Sequence, residues 1–169
     1  EPKNPLISFT NNRMAVEFGC PIEVVWSQNK EQIQRFVDEI DIDFKLVIIA
    51  EYFDESVVLL RRYLRWSTKD IIYMDKNKAA HKNETNLVGP YDRQLYRKWA
   101  KIEYALYNHF FKKMWEQIRN EGSDFDDELL HFKEIRKMME EFCRDTKTTA
   151  KLLIQESKWS EGFEITGAD

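Results

Sequence analysis

Two cysteines, five glycines and four prolines are all that this 169-residue sequence offers of the residues that staple or break a chain. So little glycine and proline excludes a collagen-like fibre and low-complexity disorder, and two cysteines exclude a small disulfide scaffold. Long apolar runs are also missing. The longest, Leu46 to Ala50, falls far short of the roughly 20 residues a membrane span needs. No charge of one sign dominates: 26 basic and 30 acidic residues are interspersed, for a net charge of −4. This leaves no basic footprint for nucleic acid, so none is expected as a partner. Cys20 and Cys143 stand far apart without His or Cys at ligand spacing, so no metal site is expected. One bridge, two buried thiols and partners elsewhere all remain open for them. The chain opens on Glu1 without a charged-then-apolar leader and is expected to be a processed or excised piece.

What is present, 43% apolar and 14% aromatic residues, suffices for a core. Loops around one short element near Arg13 to Phe18 are expected before Ser27. From there Ile33, Phe36, Val37 and Ile40 share one helical face. Phe44 to Ala50 is rich in β-branched residues and predicts a strand buried on both faces, as in a parallel sheet. An acidic turn, Glu51 to Ser56, then leads into a helix towards Trp66. Asp70 to Met74 is a second short strand candidate, which with the first predicts a βαβ crossover. A long exposed loop is expected from Asp75 to Tyr91. One long helix is expected from Leu95, carrying Trp99, Ile102, Leu106, Phe110, Trp115 and Ile118, with Gly122 near its end. Asp124 to Cys143 predicts another helix with an acidic first turn, and Glu161 to Asp169 predicts a frayed end.

No Gly-rich phosphate loop, GxSxG, HExxH or EF-hand occurs. His81, His109 and His131 are each isolated, which favours structural or surface roles. The acidic turn has two readings. In one, Asp54 caps the following helix and Glu55 complements its dipole, worth roughly 1 kcal/mol. In the other, Glu51 at the end of a buried strand faces a cleft and orients or deprotonates a substrate hydroxyl, with burial available to raise its pKa. Trp99, Tyr107, Phe110 and Trp115 suit core packing better than sugar stacking. Asn83-Glu84-Thr85 is a glycosylation sequon, meaningful only in a lumenal chain.

The block Ala50-Glu51-Tyr52-Phe53-Asp54-Glu55-Ser56-Val57-Val58-Leu59-Leu60-Arg61 closely resembles the "EYFDESLVLL" block of the galactose-3-O-sulfotransferases. Trp66, Asp70 to Tyr73, Lys76-Asn77, Trp99, Leu106-Tyr107, His109-Phe110, Trp115, Cys143 and Ile154-Gln155 are similar to further family positions, as are Asn12-Arg13-Met14 and Phe18-Gly19 upstream. Glu103 stands where the family usually has Asp, and Phe111 interrupts the family's "HFN" sequon. The resemblance implies an α/β, P-loop-kinase-like sulfotransferase fold, of which this chain (1–169) would be the later half: a single partial domain, mostly helical, with one or two parallel strands. It implies transfer of a sulfuryl group from 3′-phosphoadenosine-5′-phosphosulfate (PAPS) to the 3-hydroxyl of a terminal galactose on a glycolipid or glycan. It also implies a Golgi membrane setting, lumenal side, reached through an N-terminal anchor outside this chain. The family's donor-binding elements lie upstream of the segment resembled, so the chain alone is expected to be inactive, with no cofactor-binding residue and no metal. Glu51 is then the candidate catalytic carboxylate, Asp54, Glu55 and Trp99 the candidate acceptor-binding residues, and Asn83 the candidate glycosylation site. Another carbohydrate sulfotransferase and a non-enzymatic helical interaction module derived from the fold are the alternatives.

Overall fold

The computed structural model describes residue 8 and residues 10–74, 89–145 and 150–166. His81, Asn83 and most of the expected Asp75–Tyr91 loop lie outside the described residues. Those described form two compact units, one within 1–47 and 79–113, the other within 48–78 and 114–169.

The first unit begins with α1 (Arg13–Glu17) and α2 (Ile22–Ser27), followed by α3 (Lys30–Asp43). Asn29 caps α3 by accepting the Gln32 N–H at 3.0 Å, and the four residues of its expected apolar face are buried. At the far end Lys113 Nζ donates to the Asp41 and Phe44 carbonyls at 3.3 and 3.2 Å and to Asp41 Oδ1 at 2.5 Å. It thereby gathers acceptors that a helix C-terminus leaves open. This hydrogen bond from Lys113 holds the Asp41 carboxyl below the usual carboxylate range. Because the folded pKa is the depressed one, the stability it contributes is present above the unfolded value of about 3.9 and lost as pH falls through the folded value. Melting temperatures measured between neutrality and pH 3 should therefore fall less steeply in Asp41→Asn; equal acid slopes would refute the assignment.

The long helix expected from Leu95 is two helices, α6 (Pro90–Trp99) and α7 (Lys101–Asn120), broken at Ala100. The cause is Asn12. Fully buried and in the left-handed region at φ 50°, it donates from Nδ2 to the Trp99 carbonyl at 3.0 Å and accepts at Oδ1 from Ile102 N–H at 2.8 Å. A side chain inserted into the ladder in this way ends one helix and caps the next. Glu103 Oε1 returns the contact by accepting the Met14 N–H at 2.8 Å. Asn12→Ala removes a cap, strands buried polar groups and places a Cβ-bearing residue without Asn's local hydrogen bonds at positive φ. It should cost about 2–3 kcal/mol. Asn12→Gly should recover part of that, and urea midpoints separate the two.

Residues of α7 from Met114 onward belong to the second unit. Gly122, at φ 103°, follows that helix where a side chain would be strained. Here α4 (Phe53–Leu64) packs on α8 (Phe125–Asp145), and α5 (Thr68–Ile71) packs on α4. Val57, Val58 and Leu59 of α4 and Phe132, Ile135 and Met139 of α8 are buried. Two strands, β1 (Lys151–Ile154) and β2 (Phe163–Thr166), pair antiparallel with Leu152 opposite Ile165 and Ile154 opposite Phe163. Ile154 and Ile165 join Ile135 and Met139 in one cluster, with Cys143 and Phe142 against it.

These strands correct two expectations. Phe44 to Ala50 is not a strand, and Asp70 to Met74 is partly α5; no parallel pair forms among the described residues. Ile49 is extended and buried, but its N–H goes to the Ser56 hydroxyl at 3.0 Å, and Ile48 is exposed. The end expected to fray instead contains β2, held by the inward pairs just named. Neither cysteine is bridged; burial pushes the Cys20 thiol up to about 11. Among the described residues no helix is long and apolar enough to cross a membrane.

Candidate functional site

The acidic turn that the sequence singles out lies in the second unit as a 3₁₀ turn, Ala50–Tyr52, running into α4. Glu51 is exposed on it. The expected desolvation at the end of a buried strand is therefore absent, because there is neither a strand nor burial. Aromatic rings brace the turn on both sides. Tyr52 meets Trp115 edge-on at 5.2 Å, and Phe53 meets Tyr73 edge-on at 4.8 Å between ring centres. Phe53 remains 38% exposed, so an open carboxylate and an open aromatic face are neighbours in sequence at the start of α4.

Asp54 does not cap α4, whose N-cap is Tyr52 without a side-chain hydrogen bond. Its carboxylate instead accepts the Tyr73 hydroxyl at 2.7 Å and pairs with Arg136 of α8. Arg136 also donates to the Tyr73 oxygen at 2.6 Å, stacks over the Tyr73 ring at 3.9 Å and reaches Glu140 at 3.3 Å. Glu55 pairs with Lys133 at 2.9 Å. Both carboxylates are thus occupied in tying α4 to α8, which leaves Glu51 as the acidic residue of the turn open to a ligand. Trp99 lies in the first unit, partly buried, with its indole N–H buried and unpartnered among the described residues.

About two turns further along α4, its Arg61 and Arg62 enclose Glu128, which is buried at 3% exposure. It accepts from Arg61 Nη1 and Arg62 Nε, both at 2.6 Å. Arg61 reaches on to the Trp159 carbonyl at 2.5 Å, and Arg62 to the Glu121 carbonyl and Asp124 at 3.0 and 3.1 Å. Burial works against the Arg62 charge, but Glu128 and Asp124 outweigh it and its pKa is raised. Arg62 in turn holds the Asp124 carboxyl below the usual range. His131 Nε2 lies 2.9 Å from Ser157 Oγ, which also accepts the Trp159 and Ser160 N–H groups. With its lone pairs committed to that turn, Ser157 is a structural hydroxyl rather than a nucleophile, and His131 has the structural role expected of it.

Tyr73, Arg136, Glu128 and Asn12 escape a reading by periodicity, since each acts across a long sequence separation. For Glu128 and Arg136 the local signal is polarity on the inner side of α8, a stripe that should be apolar, whereas Asn12 and Tyr73 are marked only by the family resemblance. Among the described residues, no three His, Cys, Asp or Glu side chains form a metal cluster. Arg61, Arg62, Lys133 and Arg136 are each paired to a carboxylate. That charge arrangement does not fit a phosphate cradle.

A family model for galactose-3-O-sulfotransferase matches residues 2–158. Human galactose-3-O-sulfotransferase 2 is 33% identical over 113 residues, 67% of this chain and 28% of the relative. Human galactose-3-O-sulfotransferase 4 is 39% identical over 128 residues, 70% of this chain and 26% of the relative. Mouse galactosylceramide sulfotransferase is 30% identical over 118 residues, 68% of this chain and 27% of the relative. The chain therefore spans little more than a quarter of the length of these relatives, and no solved structure matches it. A family match running through α1 to α8, with the braced acidic turn inside it, means that the chain belongs to the galactose-3-O-sulfotransferase family.

Proposed function

We propose that this chain is the acceptor-side part of a carbohydrate sulfotransferase that moves a sulfuryl group from PAPS to the 3-hydroxyl of a terminal galactose. The observation that carries the reading is the family match over residues 2–158. The acceptor is a glycolipid or glycan, and the parent protein works in the Golgi lumen. The parallel strands of a P-loop-kinase-like sheet are supplied in that parent from outside this chain. The donor's phosphates are held outside this chain as well, as the family resemblance implies; among the described residues Arg61, Arg62 and Arg136 are committed to carboxylates. No step is therefore assigned to these cations.

Glu51 has the remaining role. An attacking sugar hydroxyl must lose its proton as its oxygen bonds to sulfur, and a carboxylate within hydrogen-bond reach can take it. Phe53 offers an open ring for an apolar sugar face beside it. The test is an assay of the full-length parent with radiolabelled PAPS and a β-galactoside. Label appearing as a galactose 3-sulfate supports the reading, and label on another position or another sugar overturns it. For the chain alone, 3′-phosphoadenosine-5′-phosphate should leave the melting temperature unmoved. A donor site occupied at 100 times its Kd would add about 2.7 kcal/mol and contradict the placement of donor groups outside it.

A further inference from the structure

We propose that Tyr73 is a positioning residue for the acceptor: its ring holds Phe53 in the orientation on which a galactose face stacks. The inference rests on the acceptor role proposed above for the start of α4. Ile72 leaves α5 in an extended conformation, and Ile72 and Met74 pack against the cluster of Ile135, Met139, Ile154 and Ile165. Tyr73, between them, is directed to the start of α4 instead, as alternation along extended backbone requires. Its hydroxyl donates to Asp54 at 2.7 Å and accepts from Arg136 at 2.6 Å, and the Arg136 guanidinium lies over its ring at 3.9 Å. A phenol fixed at its oxygen and covered on one face has little room to swing away from its neighbour.

That neighbour is Phe53. The two rings meet edge-on, 4.8 Å apart between centres and at 86° between planes, an arrangement that aromatic quadrupoles favour. Core packing alone does not account for the pair. Phe132, whose ring centre lies 6.4 Å from that of Tyr73, is buried, whereas Phe53 keeps 38% of its surface exposed. An open ring that is already held still loses less freedom when a sugar face stacks on it, so the bracing acts on acceptor binding rather than on the barrier. The Tyr73 hydroxyl takes part in the tie between α4 and α8, while its ring meets Phe53. Substitution can therefore separate the two roles.

The experiment is steady-state kinetics of the full-length parent with PAPS and a β-galactoside, run well below the melting temperature of each variant. Tyr73→Leu should raise KM for the galactoside about tenfold and leave kcat and the KM for PAPS within about twofold, a split that general loosening of the fold would not produce. Tyr73→Phe, which keeps the ring, should restore most of that loss. Phe53→Ala should raise the same KM, and adding Tyr73→Leu to it should raise it no further, because Tyr73 acts through Phe53. Phe53→Ala alters a partly exposed side chain and decides the matter even if Tyr73→Leu does not fold: an unchanged galactoside KM would leave Tyr73 nothing to position. Additive effects in the double variant, a galactoside KM unmoved by Tyr73→Leu, or equal rises in both KM values would overturn the proposal. A parent that sulfates no galactose would instead overturn the functional reading, and this inference with it.

Discussion

Glu128→Ala should destabilise the second unit by about 3–5 kcal/mol, the largest effect expected of any single substitution here. The carboxylate is only 4% exposed and sits between two guanidinium groups at 2.6 Å each. Removing it leaves two partly buried positive charges facing each other across a void, and the cost of that exceeds the net worth of the original ion pairs. Arg61 and Arg62 also hold carbonyls of Trp159 and Glu121, so the anchoring of the β1–β2 loop and of the α7–α8 connection depends on the same carboxylate. In a domain of this size the loss corresponds to a fall of about 10 °C in melting temperature. A second variant separates charge from packing. Arg61→Met/Glu128→Leu removes one cation with the anion and leaves Arg62 to Asp124 and Glu121, so it should melt well above Glu128→Ala. Calorimetry giving the single variant a fall of less than about 2 °C would refute the account.

Glu51→Gln in the full-length parent should lower kcat for galactose sulfation by about 10²-fold or more, the range that proton transfer by a positioned group contributes. Melting temperature should stay at the parental value, because Glu51 is exposed on its 3₁₀ turn and the ties between α4 and α8 run through Asp54 and Glu55 instead. Asp54→Asn behaves oppositely. It weakens the pairing with Arg136 and Tyr73 and should lower stability first, with activity following only as the turn loosens. A Glu51→Gln enzyme with full kcat would remove Glu51 from the reaction; a loss confined to KM would make it a binding group rather than a base.

Helices with a clear apolar period could be read from spacing, whereas α2 (Ile22–Ser27) lies where loops were expected and α5 where a strand was. Ile33, Phe36, Val37 and Ile40 are buried in α3 as their period requires, and Phe132, Ile135 and Met139 are buried in α8. A 3.6-residue period reports a local surface, and local surfaces survive in a single chain. Strands do not share that property, because their hydrogen bonds depend on what lies beside them. The β-branched run Phe44–Ala50 carries strand propensity but has no strand partner among the described residues, whereas the weaker Lys151–Ile154 and Phe163–Thr166 form a ladder because each has the other.

The same distinction governs the candidate site. The block from Ala50 to Arg61 was legible as a family signature, and its acidic turn could be located to the residue. Which of its carboxylates is open could not be read, since the answer lies about 80 residues away in Lys133 and Arg136. Nor could the break at Ala100, which a single buried side chain imposes from Asn12. The sequence by itself determined the amphipathic helices α3, α4 and α8, the family and the position of the acidic turn, all of which depend on neighbours along the chain. Only the tertiary structure decided strand pairing, the commitment of Asp54 and Glu55 and the burial of Glu128, because each depends on which distant groups are brought within a few ångströms.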